Sequence, residues 1–172
     1  MGFPDPRSEG SHNPGATNVL RIAGKKAAAL TLLGDLLKGF IPVLIAHLVL
    51  QDNLFIALTG FAAFIGHCYP IFYRFSGGKG VATAIGFTLA FEWMSGLAVV
   101  AIWLIVAKLF KLSSLAALIA FLCLPFIYYW INADLANTGV LALMTVILTY
   151  RHHDNIRRLI KGTEDHSHLN EE

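Results

Sequence analysis

The chain has 172 residues, 56% hydrophobic and 14% charged, with a mean hydropathy of +0.62 and a formal net charge of +2. A soluble domain carries about a quarter charged residues, so a water-soluble globule is excluded; no nucleic-acid partner is expected. Cys68 and Cys123 lie in apolar stretches with no metal-ligand spacing, which makes them small buried hydrophobes, not a disulfide framework.

Near the start, Ser11-His12-Asn13-Pro14-Gly15-Ala16-Thr17-Asn18 with Arg21 combines turn formers and short hydrogen-bonding side chains. Gly15 lets backbone amides approach a ligand closely, and Arg21 can grip a phosphate through a bidentate fork. The same residues suit a loop that merely caps the helix expected from about Ala27, and both readings stand. Met1-Gly2-Phe3-Pro4-Asp5 lacks the basic and apolar regions of a signal peptide.

Apolar runs follow at about 27–50, 54–73, 81–109, 113–131 and 138–150. Blocks near twenty residues match a hydrocarbon core of roughly 30 Å. Asp52-Asn53 and Asn132-Ala133-Asp134 punctuate them as turns. Inside the first run, Asp35 and Lys38 share a helical face, as an ion pair or as part of a polar pocket. Gly66-His67 and Pro70 close the second run, where His67 is either a structural histidine or part of a site.

Between the second and third runs lies Phe75-Ser76-Gly77-Gly78-Lys79-Gly80-Val81-Ala82-Thr83. It is not a nucleotide-binding P-loop: Gly80 stands where Ser or Thr is required, and Tyr73 where the first Gly belongs. A glycine nest with a lysine at a helix start still suits an anion.

The third run, 81–109, would make a helix of about 44 Å, too long for one straight crossing. Glu92-Trp93-Met94-Ser95-Gly96 offers a break within it. With that break, Arg7, Arg21, Lys25, Lys26, Arg74, Lys79, Lys108, Lys111, Arg151, Arg157, Arg158 and Lys161 fall on one side, 12 of the 13 Lys and Arg residues. The positive-inside rule then predicts six spans with all polar motifs cytoplasmic. The helix ending near Glu92 would be only about 18 Å long.

After the last run, Arg151-His152-His153-Asp154-Asn155 with Arg158 is either an ordinary basic flank or a third site element. His152, Asn155 and Arg158 can share one helical face, and Glu164 can hold the segment by pairing with a cation. The fold class expected is an all-α polytopic membrane helix bundle: residues 1–164 form one integral-membrane domain, and 165–172 a disordered polar tail carrying His166 and His168.

Ser11-x-Asn13-x-Gly15-Ala16-Thr17-Asn18-x-x-Arg21, Gly66-His67-x-x-Pro70-x-Phe72-x-x-Phe75-x-Gly77-Gly78-Lys79-Gly80-Val81-Ala82-Thr83 and Arg151-His152-x-x-Asn155-Ile156-x-Arg158-Leu159 together resemble the bacterial acyl-phosphate:glycerol-3-phosphate acyltransferases. The resemblance runs over nearly the whole chain, with the motifs in order. It implies transfer of an acyl group from acyl phosphate to the 1-hydroxyl of glycerol 3-phosphate. The products are lysophosphatidic acid and inorganic phosphate, made in the bacterial inner membrane for phospholipid synthesis. No cofactor or metal is implied; the partners are the two substrates, the bilayer and, functionally, an acyl-phosphate-forming enzyme. The family uses neither acyl-CoA nor the His-x4-Asp motif of other glycerol-phosphate acyltransferases; here His47 and Asp52, five apart, have that spacing but lie in none of the three motifs. The chain departs from the pattern at His12, where the family has Gly. It is also expected to lack a seventh span that the family places before the first motif.

An acyl phosphate is an activated mixed anhydride, so no enzyme nucleophile is needed. Holding two phosphate-bearing substrates together and stabilising negative charge suffices. On this reading Ser11, Arg21, His152 and Asn155 are catalytic. Asn13, Thr17, Asn18, His67, Gly77, Gly78, Lys79, Thr83 and Arg158 bind substrate, and Glu164 gives structural support. The proton of the attacking hydroxyl goes to His152 or to a substrate phosphate, and a groove between helices takes the acyl chain. The alternatives are a phosphate-headgroup transporter or lipid translocase without chemistry, and a scaffold whose motifs are only caps and flanks.

Overall fold

The computed structural model describes residues 4–165. Its elements are α1 (Ala16–Val49), α2 (Asn53–Cys68), α3 (Val81–Phe91), α4 (Trp93–Phe110), α5 (Ser113–Asn132), α6 (Leu135–Arg151) and α7 (His153–Ile160), with a 3₁₀ turn at Ile71–Tyr73. Four segments are long and apolar enough to cross a bilayer: Ala16–Val49, Asn53–Tyr73, Trp93–Phe110 and Ser113–Asn132. α3 and α6 are apolar but shorter, which completes the six-helix membrane bundle expected from the sequence. From residue 166 onward the expected disordered tail, with His166 and His168, lies outside the described residues.

α1 corrects the first boundary. It starts at Ala16, well before residue 27, so the second half of the first motif is helical and not a loop. Gly24, at φ 78° and ψ 178°, interrupts the helix and sets residues 16–23 apart from the long span. Nothing lies within 4 Å of where a Cβ on Gly24 would sit, so conformation rather than space selects glycine there.

The long third run does break, at the single residue Glu92. Its carboxylate accepts hydrogen bonds from the backbone amides of Met94 (3.0 Å) and Ser95 (2.8 Å), which caps α4. Asp52 caps α2 through the Leu54 amide at 2.8 Å, and Asp134 caps α6 through the Asn137 amide at 3.1 Å. The Asp134 cap explains why α6 begins before residue 138.

Phe64, Phe87, Phe121, Leu124, Leu141, Met144 and Leu148 are fully buried between the helices. Leu48, Phe126 and Trp130 project outward with 77–89% exposure, as side chains do when lipid is their solvent. α1 and α3 touch through their backbones. A Cβ on Gly39 would lie 2.0 Å from the Thr83 carbonyl oxygen, and one on Gly86 would lie 2.0 Å from that of Leu36. Small residues permit this approach, and close packing replaces the hydrophobic effect as the force between membrane helices.

Contacts define the two ends of the bundle. At one end, Lys79 meets Asn155, Arg151 meets the Gly77 and Gly78 carbonyls, and Ser114 meets Glu164. At the other, the Phe91 ring neighbours His47 and Tyr128, with centroids 6.3 and 5.6 Å away. His47 and Asp52 therefore sit far from the motifs, one stacked on an aromatic ring and the other capping a helix.

Candidate active site

The second and third motifs meet directly. Lys79 Nζ donates to Asn155 Oδ1, and Asn155 Nδ2 donates to Glu164 Oε1 at 2.6 Å. Glu164 also accepts from Ser114 Oγ at 2.7 Å, and through its other oxygen from Arg158 Nε at 2.7 Å. One carboxylate thus links Ser114 of α5, Asn155 and Arg158 of α7 and, through Asn155, Lys79 of the α2–α3 loop. Burial pushes the Glu164 carboxyl upward, but the bonds from Ser114, Asn155 and Arg158 outweigh it and hold the group below its ordinary range.

Arg151 grips the glycine loop from α6. Its Nη2 donates to the carbonyls of Gly77 (2.7 Å) and Gly78 (3.0 Å), and its guanidinium lies 5.1 Å from the Tyr69 ring centroid. The sequence offered Arg151 as part of a basic flank; its job as a clamp on backbone carbonyls carries no sequence signal. Ser114 was missed for the same reason, being one of two serines that start an apolar helix.

Lys79 is pushed down to about 8, chiefly by burial, with Glu164 opposing and Arg158 reinforcing the shift. His152 is 2% exposed, and burial lowers it to about 4, so it is neutral at neutral pH. Its Nδ1 lies 2.8 Å from the Leu148 carbonyl oxygen, which can only accept. Nδ1 therefore carries the proton and Nε2 keeps its lone pair, an assignment that follows from the bonding partner.

The first motif reaches the same end through Arg21, which pairs with Asp165 at 3.2 Å and adds to the field at Lys79. Ser11, Asn13 and Thr17 remain exposed or half-buried. Asn18 does not: it is 1% exposed, accepts from the Ser11 amide (2.9 Å), and donates to the carbonyls of Pro6 (2.9 Å) and Glu9 (3.0 Å). Its amide latches the loop, in place of the phosphate contact expected of it. Thr83 is likewise corrected, because it is fully buried and its hydroxyl donates to the Asp35 carbonyl at 2.9 Å. His12, where the family pattern has glycine, adopts φ 56°, a region glycine enters freely; its Nδ1 lies 3.2 Å from the Arg7 carbonyl.

The helix ends reinforce the cations. α1, α3 and α5 begin at this end, and none of them has a side-chain cap, whereas the helices starting at the far end are capped by Asp52, Glu92 and Asp134. Uncapped N-termini leave partial positive charge where the lysine and arginines gather. A groove of about 1060 Å³ opens beside the glycine loop, lined by Pro14, Lys38, His67, Gly77 and Gly78 and, along α1, by apolar residues from Val19 to Pro42.

Fold and site together define a polytopic membrane protein with a cationic, amide-rich centre at one end of its helix bundle. A profile of the glycerol-3-phosphate acyltransferase family matches residues 1–162. A protein named glycerol-3-phosphate acyltransferase from Methylococcus capsulatus is 54% identical over 165 residues, covering 95% of this chain and 83% of that one. One of the same name from Hydrogenovibrio crunogenus is 54% identical, covering 96% and 79%. A crystal structure of PlsY, an integral membrane glycerol 3-phosphate acyltransferase in its glycerol 3-phosphate form, superposes with a TM-score of 0.91 at 37% identity, covering 95% of this chain and 82% of that chain. The chain belongs to the glycerol-3-phosphate acyltransferase family.

Proposed function

We propose that the protein transfers a fatty acyl group from acyl phosphate to the 1-hydroxyl of sn-glycerol 3-phosphate. The hydroxyl oxygen attacks the acyl carbonyl carbon, the bond from that carbon to the phosphate oxygen breaks, and the hydroxyl proton ends on the departing phosphate. Lysophosphatidic acid and inorganic phosphate result. The observation that carries this reading is the convergence of Lys79, Asn155, Arg158 and Arg21 around Glu164 and Asp165, at the end where three helices start uncapped. Family membership and the likeness to a structure described as a glycerol 3-phosphate form support it.

Gly77, Gly78 and Lys79 bind the phosphate of glycerol 3-phosphate, with Arg158 adding charge. His152 and Asn155 orient the attacking hydroxyl; the neutral His152, with Nε2 bare, accepts the hydroxyl hydrogen bond. Ser11, Asn13, Thr17 and Arg21 hold the second phosphate, with Asn18 shaping their loop. Neutralising the charge that develops on phosphate is the main catalytic contribution. The acyl chain lies in the groove along α1, which gives the enzyme its reason to be in a membrane. The site faces the cytoplasm across the bacterial inner membrane, and the donor comes from a reaction that forms acyl phosphates.

The test is purified protein with palmitoyl phosphate and glycerol 3-phosphate, following phosphate release and lysophosphatidic acid together. Both products, absent with palmitoyl-CoA as donor, are expected. Binding of glycerol 3-phosphate with no ester product from the folded protein would refute the reading in favour of a transporter.

A further inference from the structure

The glycine loop is held from two sides, and Arg151 accounts for only one of them. On the other side it abuts His67 of α2. A Cβ on Gly78 would lie 2.3 Å from His67 Nε2 and 3.1 Å from Cε1, so the ring edge leaves no room for a methyl group. The opposite nitrogen, Nδ1, lies 3.5 Å from the carboxylate of Asp35 on α1, an electrostatic contact somewhat longer than a standard hydrogen bond. Asp35 is 7% exposed, and its carboxylate also accepts from Lys38 Nζ at 2.8 Å. Its backbone carbonyl takes the Thr83 hydroxyl at 2.9 Å. A single residue of α1 is thereby tied to α2 through its side chain and to the first turn of α3 through its backbone. The loop that carries Lys79 runs between those two attachment points.

Lys38 alone would satisfy the charge of a carboxylate inside a membrane span. The imidazole between that carboxylate and the loop calls for a second explanation. A carboxylate facing Nδ1 favours a proton there, which fixes both the tautomer and the ring orientation. We propose that Asp35 and His67 form a positioning dyad. Asp35 keeps the proton of His67 on Nδ1, and Nε2 stays a bare acceptor edge against Gly78, setting the placement of Gly77, Gly78 and Lys79. The proposal rests on the acyltransferase reading of that loop. In the opposite tautomer a lone pair would face the carboxylate, the ring would turn away, and the loop would lose its support from α2. A displacement of about 1 Å in a positioned group can cost about 100-fold in rate.

Two measurements test it. In protein labelled with nitrogen-15 at histidine, with the His67 signals assigned by their loss in His67→Gln, NMR distinguishes protonated from bare ring nitrogens. A proton on Nδ1 with Nε2 bare is expected; a proton on Nε2, alone or together with Nδ1, overturns the proposal without reference to activity. Asp35→Asn, which can also donate to a bare Nδ1, is expected to shift the tautomer and lower kcat by about 10- to 100-fold. Asp35→Glu is expected to restore the tautomer and part of the turnover. An Asp35→Asn protein that is folded and monodisperse, with tautomer and kcat unchanged, refutes the dyad. If Asp35→Asn does not fold, the wild-type tautomer decides. Absence of lysophosphatidic acid from the wild type would count against the acyltransferase reading, while the tautomer still judges the dyad.

Discussion

Gly86→Ala provides a severe test of the packing that positions the site. The added methyl carbon would lie 2.0 Å from the Leu36 carbonyl oxygen and 3.1 Å from the Phe40 amide nitrogen. Both are backbone atoms of α1, so no rotamer change relieves the overlap. Ordinary contact begins near 3.4 Å, so the two helices must part locally by about 1.4 Å. Overpacking of this kind costs about 2–3 kcal/mol, or roughly 4–12 °C in Tm for a chain of this size. α3 begins directly after Lys79-Gly80, so the shift is passed to the glycine loop, where on the proposed function a misplacement near 1 Å costs about 100-fold in rate. Thermal unfolding in detergent and phosphate release on the same preparation read both effects. Gly139→Ala is the matched control: it lies in α6 with nothing within 4 Å of its added methyl, and stability is expected to hold or to rise by up to about 1 kcal/mol through helix propensity. Equal stability and turnover in the two variants would refute the backbone-tight contact.

Glu164→Gln removes the charge that Arg158 pairs with and turns an NH2 donor either on Arg158 or on Asn155 and Ser114, all of which need an acceptor. A loss of about 1–3 kcal/mol in stability, with kcat falling more than KM rises, is expected from unfolding and steady-state assays. Lys79 is protonated below about 8 in the free protein, so kcat/KM for glycerol 3-phosphate should fall as pH rises through that value. His152, already neutral above about 4, should add no step of its own down to pH 5, where only the second ionisation of the substrate phosphate, at about 6, intervenes. A profile flat from pH 7 to about 9.5 would refute the placement of Lys79 at the phosphate. Arg151→Lys cannot bridge the Gly77 and Gly78 carbonyls as the guanidinium does. It should raise KM for glycerol 3-phosphate about tenfold, and an unchanged KM would remove Arg151 from loop positioning.

The helices themselves were largely legible. Blocks of apolar residues and the one-sided distribution of lysine and arginine pointed to six membrane helices and to a break within Glu92–Gly96, which falls at Glu92, because hydrocarbon thickness and loop charge act on sequence alone. The start of α1 was not legible: 16–23 contains Thr17, Asn18 and Arg21, and its helicity depends on packing around Val19 and on the Gly24 interruption. Among the expected site residues, Lys79, Asn155, Arg158 and Glu164 are joined in one network. Asn18 and Thr83 bear the polar atoms that suit a ligand, yet both spend them on backbone groups. Composition identifies what a side chain can bond to, while only the fold decides whether protein has already taken the offer. Asp35 shows the converse, since an ion pair with Lys38 was foreseeable from spacing, but its reach to His67 needed two helices placed side by side.

The shortness of α3 has a consequence for what lies beneath the cationic centre. Its 11 residues rise about 16 Å, half the depth of a hydrocarbon core, and its start adjoins the glycine loop. The protein's helical path from the cationic centre toward the other membrane face is therefore shortest along α3. Aromatic rings gather at the far end of α3: the Phe87 and Phe91 centroids are 5.7 Å apart, and Tyr128 and His47 lie 5.6 and 6.3 Å from Phe91. On the proposed reading, the two phosphate-bearing substrates would gather at one membrane face above aromatic side chains rather than above lipid.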